Sequence, residues 1–190
     1  MKRLPEQSLQ YKFRFLDTVL VLNSISLHIF NKINGYDMID NLFDNQKTQQ
    51  AIDEIAEQAG LSSVLVMKSH KDEMEVVLSG GDAGKEIYHA RDKGKKSNHA
   101  QGNNPLYCEQ VVNSNEVLEV QDASQDADWK NNEDLTEFGL GTYLGLPIEK
   151  DGKVVGTVCA LNNESIDFKN EEYNILEQLN KVKSDIENKI

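Results

Sequence analysis

Two cysteines and a dense run of acids are the residues of this 190-residue chain whose types could do chemistry. Cys108 and Cys159 are too few for a disulfide framework, and both stand among apolar neighbours, where a free thiol behaves as a small hydrophobe. A thiol-based reduction needs a reactive thiolate and a resolving partner, and neither cysteine lies in a cysteine motif of its own. The chain has no Gly-x-Ser-x-Gly and no His-Glu-x-x-His, so it offers neither that hydrolase elbow nor that zinc site. Residues 121–137 hold six acids and one lysine, and Asp126 with Asp128 suggests a divalent metal. The glycine-centred calcium spacing is missing, which leaves a solvated acidic loop and no metal site. On these residues the expectation is a chain without catalytic groups of its own.

Composition narrows the partners. Thirty-two acidic against twenty basic side chains give a formal charge of −12. That field repels nucleic-acid phosphates and the anionic leaflet of a membrane. The basic stretch Lys85–Lys96, five cations and two anions, reads as a solvated loop, with a local anion site as the alternative. The amino terminus, MKRLPEQSLQ, has no apolar run behind its charges, so no signal peptide is read. The most apolar window, 13–33, contains Arg14, Asp17, Asn23, His28 and Asn31, too polar to span lipid. With its free cysteines, the chain is expected to be soluble and cytoplasmic.

The elements that must position any site follow from periodicity. Residues 8–33 predict a long helix, with Phe15, Val19, Leu22, Ile25, Ile29 and Ile33 on one stripe, ended by Asn34-Gly35. A second helix is predicted over roughly 45–59. SSVLVMKS (62–69) and EMEVVLSG (73–80) predict paired strands. Residues 80–104 read as a long loop. Pro105 opens a short helix to Ser114, and VLEV (117–120) is a strand. Residues 121–139 read as a loop with a short helix. Asp151-Gly152 joins two further strands, since that pair favours a tight hairpin turn. The last helix is predicted from about 169 to 190, with Ile175, Leu179, Val182 and Ile186 on a heptad seam. The sum is an α+β chain in two parts: 1–44, an N-terminal helical extension, and 45–190, a domain with a central antiparallel sheet of five to six strands and helices on its faces.

The succession over 104–176 resembles a GAF domain, a relative of the PAS fold and the sensory module of bacterial signalling proteins. Tyr107-Cys108 with Val111-Val112 is similar to the family's central helix, and Val117 to Asp122 to the strand and turn after it. Tyr143-Leu144-Gly145-Leu146-Pro147-Ile148 with Gly156-Thr157-Val158-Cys159 is similar to its strand pair. Phe168, Glu171-Glu172 and Leu176 are similar to the start of its last helix. Residues 45–103 match less well, and 1–44 fall outside the likeness.

The resemblance implies a small-molecule pocket between one sheet face, the central helix and the long loops. Its candidate residues are Tyr88, His89, His99, Cys108, Asp122, Trp129, Phe138, Tyr143 and Cys159. The family's cyclic-nucleotide pattern needs a lysine after Asn162 and an acidic pair one position further on, and this chain has neither. Bilin attachment uses a pocket cysteine often followed by histidine, whereas Cys108 precedes Glu109 and Cys159 precedes Ala160. His89 or His99 could serve as an axial haem ligand; a loop histidine is the plainer reading. The ligand itself stays unnamed.

What the likeness implies for function is a sensor that couples ligand binding to its terminal helices. A homodimer would form through Phe15, Leu22, Ile25 and Ile29 and through Ile175, Leu179, Val182 and Ile186, packed as a helical bundle. An output domain such as a diguanylate cyclase or histidine kinase would follow the last helix. The alternatives are a ligand-free dimerisation or interaction module, and a cysteine-dependent free methionine sulfoxide reductase, an activity the fold also hosts.

Overall fold

The computed structural model describes residues 46–97, 105–169 and 172–190. The helix predicted over 8–33, with Phe15, Leu22, Ile25 and Ile29, and the loop residue His99 lie outside them.

Helix α1 (Gln46–Ala59) buries Ile52, Ile55 and Ala56 along one stripe. It stops because Gly60 takes a left-handed φ of 62°. The Leu61 N–H then reaches the Ala56 carbonyl at 2.9 Å, and the Gly60 N–H reaches Glu57, the paired bonds of a Schellman ending. Strands β1 (Ser63–Ser69) and β2 (Glu73–Gly80) form a hairpin. After β2 come a short helix α2 (Asp82–Ile87) and a three-residue strand β3 (Lys93–Lys95). Helix α3 (Tyr107–Ser114), strand β4 (Leu118–Val120), helix α4 (Glu133–Phe138), strands β5 (Thr142–Lys150) and β6 (Lys153–Asn162), and helix α5 (Ile175–Glu187) complete the order.

The six strands make one antiparallel sheet in the order β3-β2-β1-β6-β5-β4. This is the α+β architecture expected, with the sixth strand and α2 cut from the stretch 80–104 that reads as loop. A three-residue strand of Lys-Gly-Lys carries no alternation, so only its pairing with Glu73–Glu75 reveals it. The β5–β6 turn is made at Asp151 (φ 50°) and Gly152 (φ 73°), both left-handed, as a type I′ hairpin requires. Gly156 sits where β6 presses on β1, and a Cβ there would collide with the Met67 carbonyl oxygen. Pro147 lies two residues beyond Gly145, the last β5 residue paired with β4, so its missing N–H falls where β5 has a partner on one side only.

Alternation along the strands builds two apolar layers. One sheet face packs against α1 and α5. Ile175, Leu179, Val182 and Ile186 are at most 5 % exposed there, so the seam expected to meet a second protomer is closed by the chain's own sheet and α1. Heptad spacing marks an apolar stripe and does not say what covers it. The helix also starts later than about 169. Phe168 is buried and holds the preceding segment to the core, and Asn174 takes a left-handed φ of 42° immediately before the first turn. The other face carries Leu65, Met67, Tyr143, Cys159 and Leu161 and is covered by α3.

Glu109 on α3 is 2 % exposed and is held by hydrogen bonds. Its carboxylate accepts from the Ser97 N–H and hydroxyl, each at 2.9 Å, and from the Leu106 N–H at 3.3 Å. One buried acid thereby joins the chain after β3 to the start of α3.

Candidate functional site: an apolar pocket roofed by loops

The second face is not fully filled. A cavity of about 170 Å³ lies between it and the segments that cross above. Leu65, Met67, Val76 and Leu161 supply its apolar floor, Leu106 and Cys108 one wall, and Ile87, Tyr88, Asp134 and Phe138 the roof.

Tyr143 shapes the floor. It lies two residues from Gly145 on the same face of β5, and a Cβ on residue 145 would come within 2.5 Å of Cζ of the Tyr143 ring. Glycine therefore lets the ring lie down along the sheet. Tyr107 stacks on it, centroids 4.8 Å apart, and Trp129 packs on Tyr107 at 5.0 Å. The column ends at Tyr143, which lines the pocket and whose buried hydroxyl finds no nitrogen or oxygen partner among the described residues, only the weakly hydrogen-bonding Cys159 thiol. A buried hydroxyl without a partner costs roughly 1–3 kcal/mol, which a bound polar group would relieve.

The roof is latched. The Tyr88 hydroxyl donates to Asp134 Oδ1 at 2.7 Å, and the Tyr88 ring meets Phe138 edge-on at 5.9 Å. Asn132 is fully buried and secures α4 from both sides. Its side-chain oxygen accepts from the Asp134 N–H at 2.9 Å, capping the helix, and its amide nitrogen donates to the Pro105 carbonyl at 3.0 Å. Burial lifts the Asp134 carboxyl to about 6; the Tyr88 hydrogen bond works against that rise, and the charges of Glu133 and Glu137 add to it. Burial and the Asp134 charge push the Tyr88 hydroxyl far up, so it stays a neutral donor.

Both thiols face this cavity. Burial pushes Cys108 well up, and Cys159 to about 12 despite opposing contacts from Tyr143 and Thr157. At neutral pH both are thiols, not thiolates.

Of the residues singled out from the sequence, Tyr88, Cys108, Phe138, Tyr143 and Cys159 converge on the cavity. Three do not. His89 is exposed and turns to Asp92, whose carboxylate meets its Nδ1 at 3.2 Å and takes its backbone N–H. Asp122 is exposed and closes a local turn by accepting from the Ser124 N–H at 3.0 Å. Trp129 belongs to the aromatic column behind the floor. A loop position made it look available, whereas its ring is 9 % exposed against Tyr107. Asp134 escaped notice because it stands among other acids. The signal was Asn132 two residues before it, a helix cap that turns one acid of the run inward. Among the described residues no cluster of histidine, cysteine or acid could hold a metal ion, and no helix is long and apolar enough to cross a membrane.

The profile of the GAF domain matches residues 46–181, and the chain belongs to that family. No curated protein sequence matches it. Solved structures show the same fold at low identity. The type II free methionine-R-sulfoxide reductase of Thermoplasma acidophilum superimposes with a TM-score of 0.55 at 10 % identity, over 80 % of this chain and 94 % of that one. The GAF domain of an Acinetobacter phosphoenolpyruvate-protein phosphotransferase gives 0.55 at 12 %, over 81 % and 88 %. The free methionine-R-sulfoxide reductase of Neisseria meningitidis, solved with its substrate, gives 0.53 at 14 %, over 80 % and 83 %. The expectation that this chain is not an enzyme is thereby corrected: two of these neighbours are enzymes on this fold, so the absence of familiar catalytic motifs does not decide against catalysis.

Proposed function

We propose that this GAF domain is a small-molecule sensor whose ligand occupies the cavity between Tyr143 and the Tyr88–Asp134 latch. The observation that carries this reading is the buried hydroxyl of Tyr143, a residue lining an apolar cavity, which has only the weak Cys159 thiol beside it. A ligand that met it would also bear on Tyr88, Asp134 and Phe138, and so on the segments that cross the sheet. The sensor works in the cytoplasm, where its thiols stay reduced. The test is native mass spectrometry of freshly purified protein against the denatured sample. A mass excess lost on denaturation supports the reading; a bare protein, with Tyr143→Phe less stable than the parent because the hydroxyl is already satisfied, counts against it.

Signal output follows from the sequence pattern at the amino end. The apolar stripe with Phe15, Leu22, Ile25 and Ile29 pairs two copies of the chain, and a partner or an output domain such as a diguanylate cyclase or histidine kinase receives the change. Sedimentation of residues 1–190 against residues 45–190 tests this: a dimer that becomes a monomer on truncation supports it, and two monomers oppose it.

A second reading rests on Cys108 and Cys159 sharing one pocket. Two thiols could reduce a small sulfoxide, forming a disulfide while the sulfoxide oxygen leaves as water, and an added thiol reductant would restore them. Burial holds both thiols protonated, so this chemistry needs the bound substrate to change their surroundings. Loss of free methionine sulfoxide in the presence of dithiothreitol, abolished by Cys108→Ser or Cys159→Ser, would support it.

A further inference from the structure

We propose that the pocket takes a small organic ammonium ion, with its apolar body against the sheet and its charged end beneath Asp134. This deepens the ligand-binding reading of the same site and rests on it. The charges around the cavity give the sign. Asp134, Glu133 and Asp92 line it, and Lys93 is the one cation among its lining residues. Lys93 is already engaged, 3.3 Å from Glu73 and 3.9 Å from Glu75. An anionic ligand would therefore meet three carboxylates and no free counter-charge.

Asp134 is placed to receive a cation. It lines the cavity, and its Oδ1 accepts from the Tyr88 hydroxyl at 2.7 Å. The rings of Tyr88 and Phe138, packed edge to face, line the same cavity, and aromatic rings attract ammonium groups. With its carboxyl lifted only to about 6, Asp134 is ionised at pH 7.5. The floor is independent of this charge argument. Tyr143 is 1 % exposed, and its hydroxyl, with only the weak Cys159 thiol beside it, leaves room for one polar atom on an otherwise apolar body. At about 170 Å³ the space is close to that of an apolar cavity which holds benzene, about 150 Å³.

Three probes of one size separate the possibilities: benzylamine, benzyl alcohol and benzoate, titrated into the full chain at pH 7.5 by calorimetry and ligand-observed NMR. The expected order is benzylammonium tightest, benzyl alcohol next and benzoate weakest, with about tenfold between the first two. Asp134→Asn, with unchanged far-UV circular dichroism, should erase the preference for benzylammonium over benzyl alcohol. Benzoate binding as tightly as benzylammonium overturns the proposal, as does a preference that survives Asp134→Asn and is therefore general attraction to an acidic protein. Binding of benzyl alcohol without any charge preference removes the ammonium class and leaves the pocket reading standing. If no probe binds, the ammonium proposal falls, and native mass spectrometry decides whether the sensor reading falls with it.

Discussion

The Tyr143 ring occupies the space that a side chain on Gly145 would need, two residues along the same strand. Substitution Gly145→Ala should therefore displace the ring, break its stack on Tyr107 and disturb the pocket floor. The expected cost is about 1–3 kcal/mol, the usual range for overpacking a core. Urea unfolding followed by Trp129 fluorescence reads both effects, since Trp129 packs on the same column. An unchanged midpoint and an unchanged emission spectrum would show that the ring has somewhere else to go.

Asp134 should make stability depend on pH in a direction opposite to ordinary acids. Its carboxyl is raised from 3.8 to about 6, so the folded state binds the proton more tightly than the unfolded chain. The stabilisation is complete below about 4, declines as pH rises, and is lost above about 6. The difference in unfolding free energy between the parent and Asp134→Asn should fall between those limits and stay flat above pH 7. A flat difference from pH 4 to 8 would mean that the carboxyl is not desolvated.

Asn132→Ala removes both a helix cap and the tie to Pro105. A lost cap costs about 0.5–2 kcal/mol, and the second bond should place the change at the upper end. Amide exchange should quicken in Glu133–Phe138 more than in β5 or β6. Uniform acceleration across the domain would indicate a global effect and not a loosened roof.

Glu109→Gln should be damaging despite its near-identical shape. Three donors converge on the carboxylate, whereas a carboxamide presents one oxygen and an NH2 that must face a donor. A mismatched buried group costs about 1–3 kcal/mol. Thermal melts of the two proteins provide the measurement, and equal melting temperatures would refute the assignment of all three bonds.

The cysteines should resist alkylation in the native state. Burial raises both thiols, Cys159 to about 12, so little thiolate exists at pH 7.5. Iodoacetamide followed by mass spectrometry should show no adduct in native protein over an hour and two adducts in urea. Rapid native labelling of Cys108 would favour the reductase reading.

The class of fold was legible from local patterns along the chain. Alternating strands, the Asp151-Gly152 turn, Gly60 after α1 and the family pattern from Tyr107 to Leu176 are local signals, readable because each depends on residues close together in the chain. The short elements α2 and β3 were not readable, since three or six residues cannot display a period and β3 exists only through its pairing with β2. The site was divided in the same way. Tyr88, Cys108, Phe138, Tyr143 and Cys159 could be named as candidates by type and position. Tertiary structure alone decided that His89 and Asp122 close local turns, that Trp129 packs behind the floor, that Asp134 turns inward to Tyr88, and that the α5 seam lies on its own sheet. For Trp129, Asp134 and the α5 seam one physical reason holds. Burial is a property of what a distant segment places over a residue: Asp134 lies 46 positions from Tyr88, and Lys47 at the start of α1 lies 138 from Asp185 on α5.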